Sequence, residues 1–286
     1  MKNNKSRIVF FLVTILIYFT PATAQNKIEY GSNNGKYLNI SGIKIYYEEY
    51  GKGTPLLVMH GGISSISGMA TVIPDLARHF RVIVYDAPGE GRSEYGDTLS
   101  IRLLGDYATA IVDALNLDSV YVYGYSLSGI AAMQLALNRP GKVKMLVLQS
   151  TVYDYDGFGP GFGGDKITPE IMEGNPKFWL TDHLKKTPQK DKWKKYLSDF
   201  NKIWSVRHYV SEEQLSRITC PVLILQGDRD LIKIEHSFKI YSLMKNGQLA
   251  ILPNTTHFAV WEKPALVSKT ILDFLLKKGV TGTSGI

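Results

Sequence analysis

Short apolar runs alternate with helical stretches along most of the chain. Five runs are almost continuously apolar, which is typical of strands buried on both faces of a parallel sheet. They span Pro55–Met59, Arg81–Tyr85, Val120–Tyr123, Val143–Leu148 and Pro221–Gly227. Between the second and the third of them, apolar residues in Leu99–Leu117 recur with the helical period of 3.6 residues. This order predicts a mostly parallel sheet with helices packed on both of its faces.

Three further strands extend the predicted sheet to eight. Lys36–Ile40 and Ile43–Tyr50 flank a Ser-Gly pair and favour an edge hairpin, and Gln248–Leu252 forms a strand near the end of the chain. Other helices are predicted at about 67–79, 234–245 and 264–277. One more helix is predicted directly after the third apolar run, and it ends at about residue 139. The fold class is therefore α/β.

The alternation of strands and helices is interrupted between residues 152 and 219. This segment holds helical patches near 176–186, 191–203 and 211–217 but no buried strand. We interpret it as a helical cap inserted into a core made of residues 25–151 and 220–278. Its aromatic residues are candidates for an apolar pocket, although most are expected to form the cap's own core. They are Phe158, Phe162, Trp179, Trp193, Trp204 and Tyr209.

The first 24 residues have the pattern of an export signal. Basic residues precede the apolar run Ile8–Phe19, and small residues at 22 and 24 favour cleavage before Gln25. An apolar run of about 12 residues is shorter than the roughly 20 that a spanning helix needs, so a retained anchor is the weaker alternative. We expect an exported, periplasmic or secreted protein with no stable membrane insertion after cleavage, and a flexible tail at 279–286.

Composition excludes several classes of protein. Cys220 is the only cysteine among 286 residues, so no intrachain disulfide can form. The formal charge of +7 includes three basic residues of the predicted signal, and no motif for nucleic-acid binding accompanies the remainder. No metal-ligand spacing or phosphate-binding loop is present, so we expect no cofactor and no metal.

One sharp turn between a predicted strand and a predicted helix carries a candidate nucleophile. In Gly124-Tyr125-Ser126-Leu127-Ser128-Gly129, small residues flank the serine where the strand must reverse into a helix. Such a turn exposes the hydroxyl of Ser126 above the end of the strand. The alternative is an ordinary loop in which Ser126 is a helix N-cap.

This turn resembles the nucleophile elbow of the α/β-hydrolase family, Gly-x-Ser-x-Gly, except that Ser128 replaces the last glycine. Two more segments resemble that family: His60-Gly61-Gly62, and the structural loop Asp86–Ser93 with its pattern Asp-x-x-Gly-x-Gly-x-Ser. The resemblance covers about residues 40–275 and implies a hydrolase with the nucleophile, acid and histidine in that order along the chain.

Ser126, Asp230 and His257 fill this order, and each follows a predicted strand at its carboxyl end. In the resembling motif the acid stands three residues after the strand-end glycine, which favours Asp230 and leaves Asp228 as a turn-capping residue. Asp154 and Asp156 are a second option for the acid, since some family members carry it after the sixth strand. The other five histidines are interpreted as surface or packing residues, with the ring of His60 bonded to loop backbone.

The same resemblance implies an oxyanion hole made of two backbone N–H groups. Leu127 supplies one of them, and Gly62 is expected to supply the other, with Ile63 as the fallback.

We therefore expect a serine hydrolase that cleaves small to medium carboxylic esters, thioesters or lactones through an acyl-enzyme. A proline-iminopeptidase-like activity on amides and a carbon–carbon bond hydrolase remain open. The segment His-Gly-Gly-Ile-Ser departs from the iminopeptidase pattern His-Gly-Gly-Pro-Gly after its third residue. A non-catalytic ligand receptor is disfavoured because all three triad residues are present. The sequence leaves the oligomeric state open.

Overall fold

The computed structural model describes residues 28–32, 34–160, 162 and 179–277. The predicted export signal at 1–24 and the predicted tail at 279–286 lie outside these residues, so both remain predictions.

Eight strands form one sheet in the order β1-β2-β4-β3-β5-β6-β7-β8. They are β1 Lys36–Ile40, β2 Ile43–Tyr50, β3 Pro55–Met59, β4 Arg81–Tyr85, β5 Val120–Tyr125, β6 Val143–Gln149, β7 Val222–Gly227 and β8 Gly247–Leu252. Strand β2 pairs antiparallel with β1 and β4, and all other pairs are parallel. The predicted eight-stranded, mostly parallel sheet is confirmed.

The described helices are α1 Ile73–Ala77, α2 Ile101–Ala114, α3 Leu127–Asn138, α4 Trp179–Lys186, α5 Trp193–Ile203, α6 Glu212–Ser216, α7 Ile234–Leu243, α8 Ala259–Glu262 and α9 Pro264–Leu275. The predicted helix at 67–79 is wrong in extent, because the structure has a 3₁₀ turn at Ile66–Met69 and then the short α1. Pro74 lies in the first turn of α1, where its missing N–H is harmless, whereas a helix continuous through it would lose a hydrogen bond. The short helix α8 was not predicted.

Each face of the sheet has its own apolar core, because successive side chains of a strand point to opposite faces. Leu57 and Met59 of β3 lie in the core that includes α2, α3, α7 and part of α5. Leu56 and Val58 of the same strand lie in the core that includes α1, α8 and α9. A strand buried on both sides is therefore apolar at every position, as β3 is.

The parallel strands end at the same edge of the sheet. Residues that directly follow β3, β5 and β7 are His60, Ser126 and Asp228, and the loop after β8 contains His257. The segment between β6 and β7 also leaves the sheet at this edge and contains α4, α5 and α6. Isolated bridges join it to itself at Asp154 and His208 and to the loop after β7 at Phe158 and Ile232. Helices α4, α5 and α6, which we call the cap, thus lie with the polar loops at this edge of the sheet.

Candidate active site

Ser126 occupies a strained turn between β5 and α3. Its φ of 56° and ψ of −125° lie outside the regions that a non-glycine residue favours. A Cβ atom at Gly124 would lie 2.7 Å from the Ser128 carbonyl oxygen and 2.8 Å from the Gly129 Cα atom. Strand and helix therefore touch at Gly124 and Gly129, while Ser128 is accommodated as a helical residue. Ser126 occupies the N-cap position of α3, but its side chain makes no capping hydrogen bond, so the hydroxyl does not serve to cap the helix.

The imidazole of His257 joins the serine to a buried carboxylate. Its Nε2 atom lies 3.0 Å from Ser126 Oγ, and its Nδ1 atom lies 2.8 Å from Asp230 Oδ1. The Asp230 side chain is fully buried and that of His257 is 12% exposed. An ionised carboxylate can only accept, so Nδ1 carries the proton and Nε2 is free to accept the serine proton. Three residues from three loops thus form a continuous hydrogen-bonded chain.

Asp230 and Asp228 make different contacts although they are two residues apart. Asp230 Oδ1 also accepts the Ile232 N–H at 3.1 Å. Asp228 Oδ1 accepts the Thr255 N–H at 3.0 Å, and backbone N–H groups of Asn254 and Thr255 lower the pKa of Asp228 below its ordinary value. Asp228 is therefore a turn-capping residue, as the sequence indicated.

Neither alternative acid contacts His257. Asp154 pairs with His208, and Asp156 pairs with Arg207, both within the segment that follows β6. The carboxylate beside the imidazole is that of Asp230, so the geometry favours Asp230 over an acid after β6.

The loop after β3 approaches the first turn of α3. A Cβ atom at Gly62 would lie 3.1 Å from Leu127 Cδ2, and both residues line the same pocket as Ser126. The Leu127 N–H belongs to the first turn of α3, where N–H groups have no acceptor within their own helix. The Ile63 N–H donates to Glu90 Oε1 at 2.9 Å, so the fallback donor is already engaged. Gly62 and Leu127, which both line the pocket with Ser126, are thus the candidate backbone donors.

His60 and Asp86 hold the loops behind these donors. Nε2 of His60 accepts the Ala87 N–H at 3.1 Å, and Nδ1 donates to the Gly61 carbonyl at 2.7 Å, which confirms its predicted bonding to loop backbone. Asp86 accepts the N–H groups of Ile66 and Arg92. Burial raises the pKa of Asp86 above its ordinary value. These buried contacts make the two loops rigid relative to each other.

Tyr125 supports the loop that carries the imidazole. Its hydroxyl donates to the His257 carbonyl oxygen at 2.9 Å, and its ring packs edge-on against Trp261. Burial raises the pKa of Tyr125 well above its ordinary value, so the hydroxyl stays protonated and remains a donor. Tyr125, which directly precedes Ser126, thereby holds the loop that carries His257 in place.

An apolar pocket with a cavity volume of about 170 Å³ opens beside Ser126 and His257. Of the aromatic residues predicted from the cap, Phe158, Phe162 and Trp204 line it. Trp193 and Tyr209 are not part of this lining, and the side chain of Trp179 lies outside the description. The sequence analysis missed five lining residues: Tyr125, Phe200, Leu231, Phe258 and Trp261. The first, third and fourth directly neighbour Ser126, Asp230 and His257 in the chain, a signal that could have found them, whereas Phe200 and Trp261 lie in helices that carry no binding motif.

Within the ranges that the structure describes, no group of three or more His, Cys, Asp or Glu residues is placed to hold a metal ion. Over the same ranges, no helix has the length and apolar character needed to cross a bilayer.

Comparisons with known proteins agree with the observed fold. The model of the α/β hydrolase fold family matches residues 54–194. The 2-hydroxy-6-oxo-6-(2'-aminophenyl)hexa-2,4-dienoic acid hydrolase of Metapseudomonas resinovorans is 26% identical over 276 residues, covering 85% of this chain and 91% of that protein. The crystal structure of a meta-cleavage product hydrolase from Pseudomonas fluorescens has a TM-score of 0.71 at 21% identity, covering 86% of this chain and 98% of that one. An enol-lactonase from Burkholderia xenovorans has a TM-score of 0.68 at 20% identity, covering 84% of this chain and 100% of that one.

Proposed function

The chain is a hydrolase of the α/β-hydrolase fold family, and we propose that Ser126, His257 and Asp230 are its catalytic triad. The observation that supports this is the hydrogen-bonded chain from Ser126 Oγ through both ring nitrogens of His257 to the buried carboxylate of Asp230. A serine hydroxyl is a weak nucleophile by itself, and it gains reactivity when an oriented base accepts its proton.

In this mechanism Ser126 Oγ attacks a carbonyl carbon while Nε2 of His257 takes the hydroxyl proton. The carbonyl oxygen becomes an oxyanion, which the N–H groups of Gly62 and Leu127 bind, each contributing about 3 kcal/mol to the lowering of the barrier. The imidazolium returns the proton to the leaving group, and an acyl-serine remains. Water then attacks the acyl carbon with His257 as base, which releases the acid and restores the hydroxyl of Ser126.

The first candidate substrate is a 2-hydroxy-6-oxo-dienoate, whose carbon–carbon bond beside the 6-oxo group is hydrolysed. Support comes from the relatives, since hydrolases named for such dienoates match more than four fifths of this chain. The leaving group is then a carbon atom, so its electron pair has to be delocalised. Ketonisation of the 2-hydroxy-diene moves a proton to the carbon beside the 6-oxo group and provides a conjugated 2-oxo group. This carbonyl accepts the electron pair when the carbon–carbon bond breaks, and the oxygen of the resulting dienolate takes the proton from His257. The aromatic pocket is suited to a substituent at the 6-position.

The second candidate is a neutral ester or lactone, and the composition of the pocket favours it. The described residues that line the pocket include no Lys or Arg. A dienoate carries a carboxylate, and burying a carboxylate without a cation or several donors is costly. A neutral ester of similar size has no such cost.

A direct comparison of the two substrate classes tests these proposals. The purified full chain is assayed with 2-hydroxy-6-oxo-6-phenylhexa-2,4-dienoate, followed by loss of the dienol absorbance, and with p-nitrophenyl butyrate. A kcat/KM that is at least about tenfold higher for the dienoate supports carbon–carbon hydrolysis, and the reverse ratio supports ester hydrolysis. Ser126→Ala should lose about 10⁴-fold or more in either case. A folded protein that turns over neither compound and is not labelled at Ser126 by a fluorophosphonate would contradict the triad.

A further inference from the structure

A buried carboxylate holds the loop that carries Gly62. Glu90, in the loop after β4, is 3% exposed. Its Oε1 atom accepts the Ile63 N–H at 2.9 Å, and its Oε2 atom accepts the Ser64 N–H at 2.9 Å. Both donors directly follow Gly62 in the chain. The carboxylate therefore holds the backbone on one side of Gly62, which lines the pocket beside Ser126.

The backbone that Glu90 holds is strained. Ile63 has a φ of 53°, in the left-handed region that a β-branched residue rarely adopts. Such a conformation persists only where surrounding contacts enforce it. The two hydrogen bonds that Glu90 accepts from Ile63 and Ser64 are buried or partly buried contacts of this kind, and they hold the strained backbone in place.

The same carboxylate also contacts the cap. Tyr196 of α5 is 3% exposed, and its hydroxyl donates to Glu90 Oε1. The ring of Tyr196 packs against Gly89, where a Cβ atom would lie 2.7 Å from Tyr196 Cδ2. One turn further along α5, Phe200 packs against Gly62, where a Cβ atom would lie 2.8 Å from Phe200 Cε2. Helix α5 thus contacts both Gly62 and the carboxylate that holds its neighbours.

The loop from Asp86 to Ser93 therefore does more than close a turn. Its other buried acid, Asp86, accepts the Ile66 N–H at 2.7 Å, further along the loop that begins at His60. His60 Nδ1 lies 3.5 Å from Glu90 Oε2. Of the two acids, Glu90 is the one that accepts hydrogen bonds from the N–H groups directly after Gly62.

We propose that Glu90 is a positioning residue for the oxyanion hole, and that Tyr196 couples this position to the seating of the cap. Glu90 orients the Gly62 N–H through its bonds to Ile63 and Ser64 and does not contact the substrate. The proposal rests on the proposed function, since it needs an oxyanion to form beside Ser126.

Glu90→Gln is the first test. Glutamine replaces one acceptor oxygen by an amide NH₂ that cannot accept, so one of the backbone N–H groups loses its acceptor. Removal of an oxyanion donor costs about 10²–10³-fold in kcat, and we expect a displaced donor to cost roughly 10–100-fold. KM should change less than about threefold, because the loss affects the transition state alone. Affinity for an alkyl trifluoromethyl ketone, which forms an oxyanion on the serine, should fall by the same factor as kcat/KM.

Glu94→Gln is the matched control. Glu94 lies four residues further along the same loop, and its carboxylate accepts the Lys44 N–H at 2.8 Å, away from the pocket. We expect its kcat and its affinity for the ketone to stay within about twofold of the parent chain, as for surface substitutions in general. Equal kinetic constants in the Glu90 and Glu94 variants would overturn the proposal.

Tyr196→Phe tests the coupling to the cap and keeps the proposal testable if Glu90→Gln does not fold. The variant keeps the ring and both backbone bonds of Glu90 but removes the hydroxyl. We expect a smaller loss in kcat, roughly 3–10-fold, with a parallel loss of affinity for the ketone. Unchanged affinity would overturn the coupling. Fluorophosphonate labelling of the parent chain at Ser126 separates this outcome from failure of the proposed function, in which the parent chain itself is not labelled.

Discussion

Replacing Asp230 by asparagine tests the acid of the proposed triad. The Asp230 carboxylate lies 2.8 Å from His257 Nδ1, and its side chain is fully buried. The imidazole becomes positively charged as it takes the proton of Ser126, so the carboxylate stabilises the transition state more than the ground state. Asparagine has nearly the same shape but no charge. We expect a protein that folds and binds substrate but reacts slowly.

The magnitude follows from the geometry. Two unit charges 2.8 Å apart at an effective dielectric constant of about 20 attract each other by about 6 kcal/mol. Each 1.36 kcal/mol corresponds to a tenfold change in rate, so the expected loss in kcat is about 10⁴-fold. Loss of the acid's charge from a Ser-His-Asp triad costs about the same factor. Asparagine can also direct its NH₂ at Nδ1, which forces the tautomer that cannot accept the serine proton.

The assay is steady-state hydrolysis at pH 7.5 of whichever substrate class the parent chain turns over. Asp228→Asn is the matched control, because Asp228 bonds the Thr255 N–H and does not contact the imidazole. We expect Asp228→Asn to keep kcat within about threefold, because the substitution changes a turn contact and not the triad. An Asp230→Asn variant that retains more than a tenth of the parent kcat, or an Asp228→Asn variant that loses as much as it does, would refute the assignment.

Three further predictions concern packing, pH and processing. Gly124→Ala places a methyl group 2.8 Å from the Gly129 Cα atom, and urea titration should show a free energy of unfolding that is lower by about 1–3 kcal/mol. Gly141→Ala, at a position with no neighbouring atom within 4 Å, should change the free energy of unfolding by less than about 0.5 kcal/mol. Burial lowers the pKa of His236 to about 4, so the folded state binds fewer protons than the unfolded state between about pH 4 and 6.5, and stability falls as the pH falls through that window. Protonation of His236 should lower the free energy of unfolding by about 2 kcal/mol between pH 7.5 and pH 5. Urea titrations at the two pH values should show that His236→Gln abolishes this difference. An unchanged pH dependence in that variant would contradict the lowered pKa of His236. If the first 24 residues are an export signal, N-terminal sequencing of protein from the periplasm or medium should begin at Gln25, and retention of Met1 in cytoplasmic protein would contradict this.

The sequence alone determined the sheet and the location of the chemistry. Burial on both faces makes a strand such as Val222–Gly227 apolar at every position, and this pattern is local enough to be recognised without a structure. Parallel strands end at one edge, so a serine, an aspartate and a histidine that each follow a strand are expected to meet. The spacing from Gly227 favoured Asp230, which is the carboxylate that lies beside His257.

Only the tertiary structure decided which residues surround that meeting point. From the sequence, Glu90 is only one residue of a structural turn. In the structure, Glu90 contacts Ile63, 27 residues earlier, and Tyr196, 106 residues later. Likewise, Phe200 and Trp261 line the pocket from a cap helix and a short helix that carry no binding motif. Local patterns of burial and turn residues encode secondary structure, because they depend on neighbours a few positions away. Which side chains fill a pocket or hold a loop depends on how distant segments of the chain pack together. The hydrophobic periodicity of the sequence contains no information about that packing.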